Sequence, residues 1–382
     1  MEKNSKKFMT SEERIAYRRH KRRMRRIQVY CELALIALVV IVSITLAVTH
    51  IGGNKKKVKV EAEEKQELSV GAEKESEKEK QSGLKVSNDS VDKKVEATEN
   101  TEIEEEPVAT GGIYSAKDTD KTVEIGGDIV SQYGILINNK TKEIVARRNA
   151  TEKIVPASMT KVMTVLVAAN NIKPEQLDEK ITMSHEAIDY SYAGGGSTSG
   201  FVEDEEVTVR DLFYGTILPS GGDAAAQLAM YVAGDIDSFV KLMNDQAASL
   251  GISGTTHFTN PVGFHSSEHY STPYDIAIIM MAALDNEICK EVVTTKVYNS
   301  TATNVNPEGI TISNWFLRRI EDKEFGGNIE GAKTGYVDES GSCAVSSMVT
   351  ESGTEYICCT AKSSSSWRCI YDHVDIYKNY AK

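Results

Sequence analysis

Ser158 and Lys161 stand three apart in Ser158-Met159-Thr160-Lys161. On a helix such residues share a face, with about 5–6 Å between their Cβ atoms. The lysine amine can therefore reach the serine hydroxyl. A serine is a weak nucleophile until an adjacent base takes its proton. A lysine serves as that base only when burial or a nearby cation lowers its pKa. Apolar Met159, Val162, Met163 and Leu166 surround the pair and predict a half-buried helix start. Alone, the spacing is a weak signal, equally served by a capping serine and a solvated lysine.

Two further short motifs follow. Ser220-Gly221-Gly222-Asp223 comes after Pro219 at an apparent helix junction, where the ordinary reading is a turn with Asp223 capping the next helix. Lys333-Thr334-Gly335 precedes Tyr336 in a strand-like stretch. Consecutive strand residues point to opposite faces, and a glycine there lets another backbone approach closely. The ordinary reading of that stretch is an edge strand.

Each motif is weak, but the ordered set is specific. S-x-x-K, S-D-N and K-T-G in this order are the signature of penicillin-binding proteins and class A β-lactamases. The flanking text extends the match: "PASMTKVMTVL", "GGSTSGFVEDEEVTVRDLFYGTILPSGGDAA", "THFTNPVGFHSSEHYSTPYDIAIIM" and "GAKTGYVDESGSCAV". The body over about 130–382 resembles the low-molecular-mass penicillin-binding proteins, the D-alanyl-D-alanine carboxypeptidases of serine peptidase family S11.

That resemblance implies a serine-type D-Ala-D-Ala carboxypeptidase acting on peptidoglycan stem peptides and acylated by β-lactams. It also implies an α/β fold like that of the penicillin-binding transpeptidases and serine β-lactamases. Ser158 would attack the carbonyl between the terminal D-alanines, and Lys161 would take its proton. Ser220 would relay a proton to the departing D-alanine. Lys333 would place positive charge near Ser220 and the substrate carboxylate, and Thr334 would hydrogen-bond that carboxylate. Gly335 would allow close approach, and the N–H groups of Ser158 and Tyr336 would form the oxyanion hole. No cofactor and no metal is expected. One departure is plain: Gly222 stands where the family has Asn. It leaves open a catalytically weak wall-binding module of the same fold. A β-lactamase is the other alternative, although no segment marks a deacylating carboxylate. The family often adds a C-terminal β-rich domain and an amphipathic membrane helix, whereas here about 45 residues follow Lys-Thr-Gly.

The elements that must position these residues are legible around them. "YGILINNKTKEIVARRNA" (Tyr133–Ala150) reads as a hairpin about Asn138-Asn139-Lys140-Thr141. "PASMTKVMTVLVAANN" reads as a helix with Pro156 near its start. Residues 160–290 are helix-rich, and strand-like text returns at Gly341–Val349 and Glu355–Lys362 before a last helix. Strands, then helices, then strands predict an antiparallel sheet assembled from both chain ends with a helical lobe inserted between.

The remaining composition bounds the rest. The chain has 382 residues and a net charge of −12. Residues 1–26 carry a local +8, leaving −20 on the other 356. An acidic body lacks the basic face that phosphates require, so no nucleic-acid partner is expected. Residues 27–51 are long and apolar enough for a retained transmembrane helix, with the basic tail 1–26 cytoplasmic and the body outside. Residues 52–110 lack aromatics and read as a disordered charged linker, and 111–382 as the catalytic domain. Six cysteines form no C-x-x-C pair, and any bridge among the last four is left unassigned. His257, His265 and His269 read as bonded loop histidines, and Gly194-Gly195-Gly196 as a flexible loop near the cleft. Arg318 and Arg319 fall on a stretch that could line it. There is no G-x-S-x-G elbow to suggest an α/β-hydrolase.

Overall fold

The computed structural model describes residues 114–382. The tail, membrane span and linker expected over 1–26, 27–51 and 52–110 lie outside the described residues. Among the described residues, no helix is long and apolar enough to cross a membrane.

A two-residue strand, β1 (Val123–Glu124), precedes the expected hairpin of β2 (Tyr133–Asn138) and β3 (Glu143–Arg148). The hairpin turns because Asn138 Oδ1 accepts the backbone N–H of Lys140 at 3.0 Å and of Thr141 at 3.1 Å, a local bond that Asn makes readily. A 3₁₀ turn, Ala157–Met159, then opens α1 (Thr160–Asn171). Ten consecutive residues of α1, Thr160 to Ala169, are buried. Buried on every side, and apolar but for Thr160, Lys161 and Thr164 over that stretch, this helix runs through the middle of the helical lobe.

The lobe continues through a 3₁₀ turn (Pro174–Asp178), β4 (Lys180–Thr182), α2 (His185–Ala193), β5 (Glu206–Thr208) and α3 (Val209–Ile217). It is completed by α4 (Gly222–Ala233), α5 (Ile236–Ser249), α6 (Pro273–Asp285) and α7 (Glu287–Thr294). A short pair, β6 (Val297–Asn299) and β7 (Thr311–Ser313), leads to α8 (Trp315–Ile320). The chain then returns to the main sheet with β8 (Gly327–Val337), β9 (Gly341–Thr350) and β10 (Glu355–Ser363), and closes with α9 (Ser366–Tyr380).

The main sheet has the order β1-β3-β2-β10-β9-β8, so both chain ends build it and β8 is an edge. One expectation needs correction. The sheet is not wholly antiparallel, because β1 pairs parallel to β3. The chain between β1 and β2 crosses the sheet end, where Arg148 holds the carbonyls of Ile125, Ile129 and Ser131. That crossing returns β2 to the far side of β3 and leaves β1 running with it.

Strand alternation divides the core between two faces. Ile135, Ile137, Val345, Ile357 and Cys359 pack with the helical lobe. Leu136, Ala332, Ala344, Met348 and Cys358 pack beneath α8 and α9. The five described cysteines are free and buried, so the last four form no bridge with one another.

Candidate active site

The local fold around Ser158 explains its spacing from Lys161. A 3₁₀ turn has about three residues per turn, so side chains at i and i+3 eclipse one another. Lys161 Nζ lies 2.9 Å from Ser158 Oγ, and also donates to the carbonyl of Val262 at 2.8 Å. Ala157, just before the serine, has φ of 47°. Left-handed backbone at a non-glycine residue is strained and persists only where packing enforces it. Here Ala157 is fully buried against the sheet, while Ser158 remains half-buried and open to the cleft.

A second serine–lysine pair faces the first from other elements. Ser220 precedes α4 and is also left-handed, with φ of 64°. Its Oγ accepts from Lys333 Nζ at 2.8 Å, and the same amine donates to the carbonyl of Thr334 at 2.8 Å. Thr334 is half-buried on the edge strand, and Gly335 lies buried beside the Ser158 turn. Tyr336 is 64% exposed and its hydroxyl donates to Asp338 at 2.9 Å.

Burial makes both lysines unusual. Lys161 is fully buried, and loss of hydration holds its pKa well below the ordinary 10.5. The charge of Lys333 pushes it down further, while Asp223 partly opposes both. Lys333 is likewise buried, which brings its pKa down to about 7. The pair therefore favours one charge shared between two amines, with Lys161 the better candidate for the neutral one.

Asp223 corrects a sequence expectation. It is not the N-cap of α4, which is Gly221 without a side-chain bond, but from the first turn its Oδ1 does accept the N–H of Ala224 at 2.9 Å. The same Oδ1 also accepts the N–H of Ser199 at 2.8 Å, and Oδ2 the hydroxyl of Thr198 at 2.8 Å. The carboxylate thus ties the loop after α2 to the helix that follows Ser220. Gly222 begins α4, and a Cβ there would stand 2.6 Å from Ser191 Oγ.

The other candidates fall elsewhere. Arg319 stacks over Trp315 at 4.0 Å and faces Trp367, while Arg318 donates to Ser313. Both sit on α8, on the sheet face covered by α9, so they do not line the cleft. His257 lies 2.6 Å from the carbonyl of Glu268, and buried His269 lies 2.9 Å from Thr160 Oγ1. His265 stands 4.0 Å from Glu339. In the 194–196 loop a Cβ at Gly194 would meet the Phe264 ring at 2.3 Å, whereas Gly195 is exposed with open space beside it. Sequence reasoning missed Val262. It contributes a backbone carbonyl, which every residue type carries, so no side-chain signal marked it.

Sheet, helical lobe and two serine–lysine contacts define an active-serine protein of the penicillin-binding type. A family model described as D-alanyl-D-alanine carboxypeptidase matches residues 116–361, and the chain belongs to that family. It is 32% identical over 237 residues to the D-alanyl-D-alanine carboxypeptidase DacF of Bacillus subtilis, covering 61% of this chain and 57% of that one. Against the D-alanyl-D-alanine carboxypeptidase of Streptomyces sp. strain K15 the identity is 31% over 249 residues, covering 62% and 84%. The crystal structure of the Streptomyces K15 DD-transpeptidase superposes with a TM-score of 0.59 at 30% identity, covering 66% of this chain and 98% of that one. The chain thus spans little more than half the length of the Bacillus relative and nearly all of the solved Streptomyces structure.

Proposed function

We propose that this protein is a serine D,D-carboxypeptidase that removes the terminal D-alanine from peptidoglycan stem peptides. The observation that carries this reading is the pair of contacts Lys161–Ser158 at 2.9 Å and Lys333–Ser220 at 2.8 Å, on buried amines. Neutral Lys161 accepts the Ser158 proton as Oγ bonds to the penultimate D-alanine carbonyl. The N–H groups of Ser158 and Tyr336 hold the developing oxyanion. Ser220 passes a proton to the leaving nitrogen as the C–N bond breaks. Protonated Lys333 and the Thr334 hydroxyl hold the substrate carboxylate. Water then attacks the acyl-enzyme, and Ser158 recovers its proton.

A β-lactam presents the same carbonyl and carboxylate, so it should acylate Ser158. The test is labelled penicillin followed by gel electrophoresis. A band in wild type that is lost in Ser158→Ala supports the reading; no band from folded wild type counts against it. Release of D-alanine from a D-Ala-D-Ala peptide separates an enzyme from a wall-binding module. Rapid nitrocefin turnover would instead favour a β-lactamase.

A second reading concerns the acceptor. The Streptomyces K15 relative is called a carboxypeptidase in one description and a DD-transpeptidase in another. An amine acceptor replacing water would make this protein a transpeptidase. A cross-linked product formed with added glycine or a diamine supports that reading.

Residues 27–51 would anchor the protein, with 111–382 outside the cytoplasmic membrane. Protease accessibility on intact spheroplasts tests that orientation.

A further inference from the structure

The second motif poses a problem that the tertiary structure resolves. Gly222 has no side chain to contact Lys161, and its surroundings leave no room for one. A Cβ at 222 would stand 2.6 Å from Ser191 Oγ and 3.1 Å from Val262 Cγ1. The Ser191 hydroxyl is itself engaged, donating to the Ser197 carbonyl at 3.1 Å. Beyond Ser158, the hydrogen-bond partner of Lys161 Nζ among the described residues is the Val262 carbonyl at 2.8 Å.

That carbonyl belongs to a tightly held turn. Asn260 is 7% exposed, and its Oδ1 accepts the N–H groups of Val262 at 3.1 Å, Gly263 at 2.7 Å and Phe264 at 2.9 Å. Its Nδ2 donates to the Phe264 carbonyl at 3.0 Å, closing the turn on both sides. Thr164, one turn beyond Lys161 on α1, donates to the Pro261 carbonyl at 2.7 Å. Gly263 has φ of +94°, and a Cβ there would lie 1.9 Å from the Ala157 carbonyl oxygen. One turn therefore touches the backbone that carries the nucleophile, the helix that carries the base, and the amine itself.

We infer that the Val262 carbonyl, held by Asn260, is the acceptor that aims Lys161 at Ser158, a task for which the second motif of this protein has no side chain. A neutral amine has two N–H groups and one lone pair. Engaging an N–H with Val262 restricts rotation about the last bond of Lys161 and turns the lone pair toward Ser158. Asn260 is a positioning residue: it acts through the Val262 carbonyl. The inference rests on the D,D-peptidase reading above.

The experiment is stopped-flow acylation by a slowly turned-over β-lactam, resolving the binding constant K from the acylation rate constant k2. A base displaced by about 1 Å costs on the order of 10²-fold in rate, so Asn260→Ala should lose about that in k2 with K within about threefold. Thr164→Val loosens the same turn with less damage and should lose about tenfold in k2. It carries the test if Asn260→Ala does not fold. In the Asn260→Ala background, Ser191→Gly with Gly222→Asn makes room for an amide beside Lys161. Recovery of about tenfold in k2 supports the inference, because no structural defect of the turn is repaired by a side chain on another helix. No recovery in the folded triple variant overturns it. Unchanged k2 in folded Asn260→Ala, or a loss that falls on K, overturns it while the peptidase reading stands. Failure of wild type to be acylated overturns both.

Discussion

Gly335 on β8 backs onto the amide nitrogen of Ser158. A Cβ at position 335 would stand 3.0 Å from that nitrogen and 2.8 Å from Cys343 Sγ, with Ala157 Cβ 3.1 Å away. The third motif thus needs a glycine because the nucleophile's own turn occupies the space over it. Gly335→Ala must push that turn from the strand. Expected is a loss of about 10²-fold in the acylation rate constant, the scale for a displaced nucleophile and oxyanion donor. Stopped-flow acylation measures it, and a rate within threefold of wild type would contradict this account.

Lys161→Met separates chemistry from stability. Removing a general base costs about 10²–10⁴-fold in rate, so penicillin labelling should become very slow. A buried amine that must shed hydration contributes little to folding, and an apolar residue of similar volume is often neutral or stabilising. The melting temperature of Lys161→Met should therefore equal or exceed that of wild type. A melting temperature below that of wild type would contradict this account of the buried amine, and labelling of the folded variant at the wild-type rate would refute Lys161 as the base.

The Lys333 amine should set an alkaline limb. With its pKa brought down by burial to about 7 in the free protein, k2/K should decline as pH rises through that value. A bound carboxylate favours the charged form, so the limb in k2 should lie at higher pH than the limb in k2/K. Lys333→Arg, which does not titrate in this range, should abolish both limbs. Coincident limbs in k2 and k2/K would show that no carboxylate meets Lys333.

The same shift has a consequence for folding. The unfolded chain holds the Lys333 proton up to about 10.5, whereas the folded protein releases it near 7. Between those values the unfolded state binds more protons, so this residue's contribution to stability rises with pH. Denaturant titrations of wild type and Lys333→Met from pH 7 to 10 should show that rise in the difference between them. A difference that is flat or falls with pH would place the lysine in a more hydrated setting.

Asp223→Ala tests the loop that frames Ser220. The carboxylate is 1% exposed and is the acceptor for Ser199 N–H and the Thr198 hydroxyl. Its loss leaves a buried donor without a partner, which costs about 1–3 kcal/mol. Urea unfolding should report a loss in that range. An unchanged midpoint would mean that water replaces the carboxylate.

Much of this protein could be read along the chain. Hairpin, buried first helix and edge strand follow from residue type and period, because each depends on bonds a few residues long. Asn138 closing its own turn and Ser158 eclipsing Lys161 are local facts of that kind. Tertiary structure alone decided the rest. Ser220 and Lys333 are 113 residues apart and meet only when the sheet returns beside the helical lobe. Asp223 looked only like a helix-end residue and is also a tether, since its further partners Thr198 and Ser199 come from an earlier turn of chain. Arg318 and Arg319 lie near Lys333 in sequence but on the opposite face of the sheet. Neither the acidity of the two lysines nor the carbonyl that steers Lys161 has a letter of its own. Loss of water in a packed interior sets the first, and the path of the backbone sets the second, so both exist only once distant segments have closed around them.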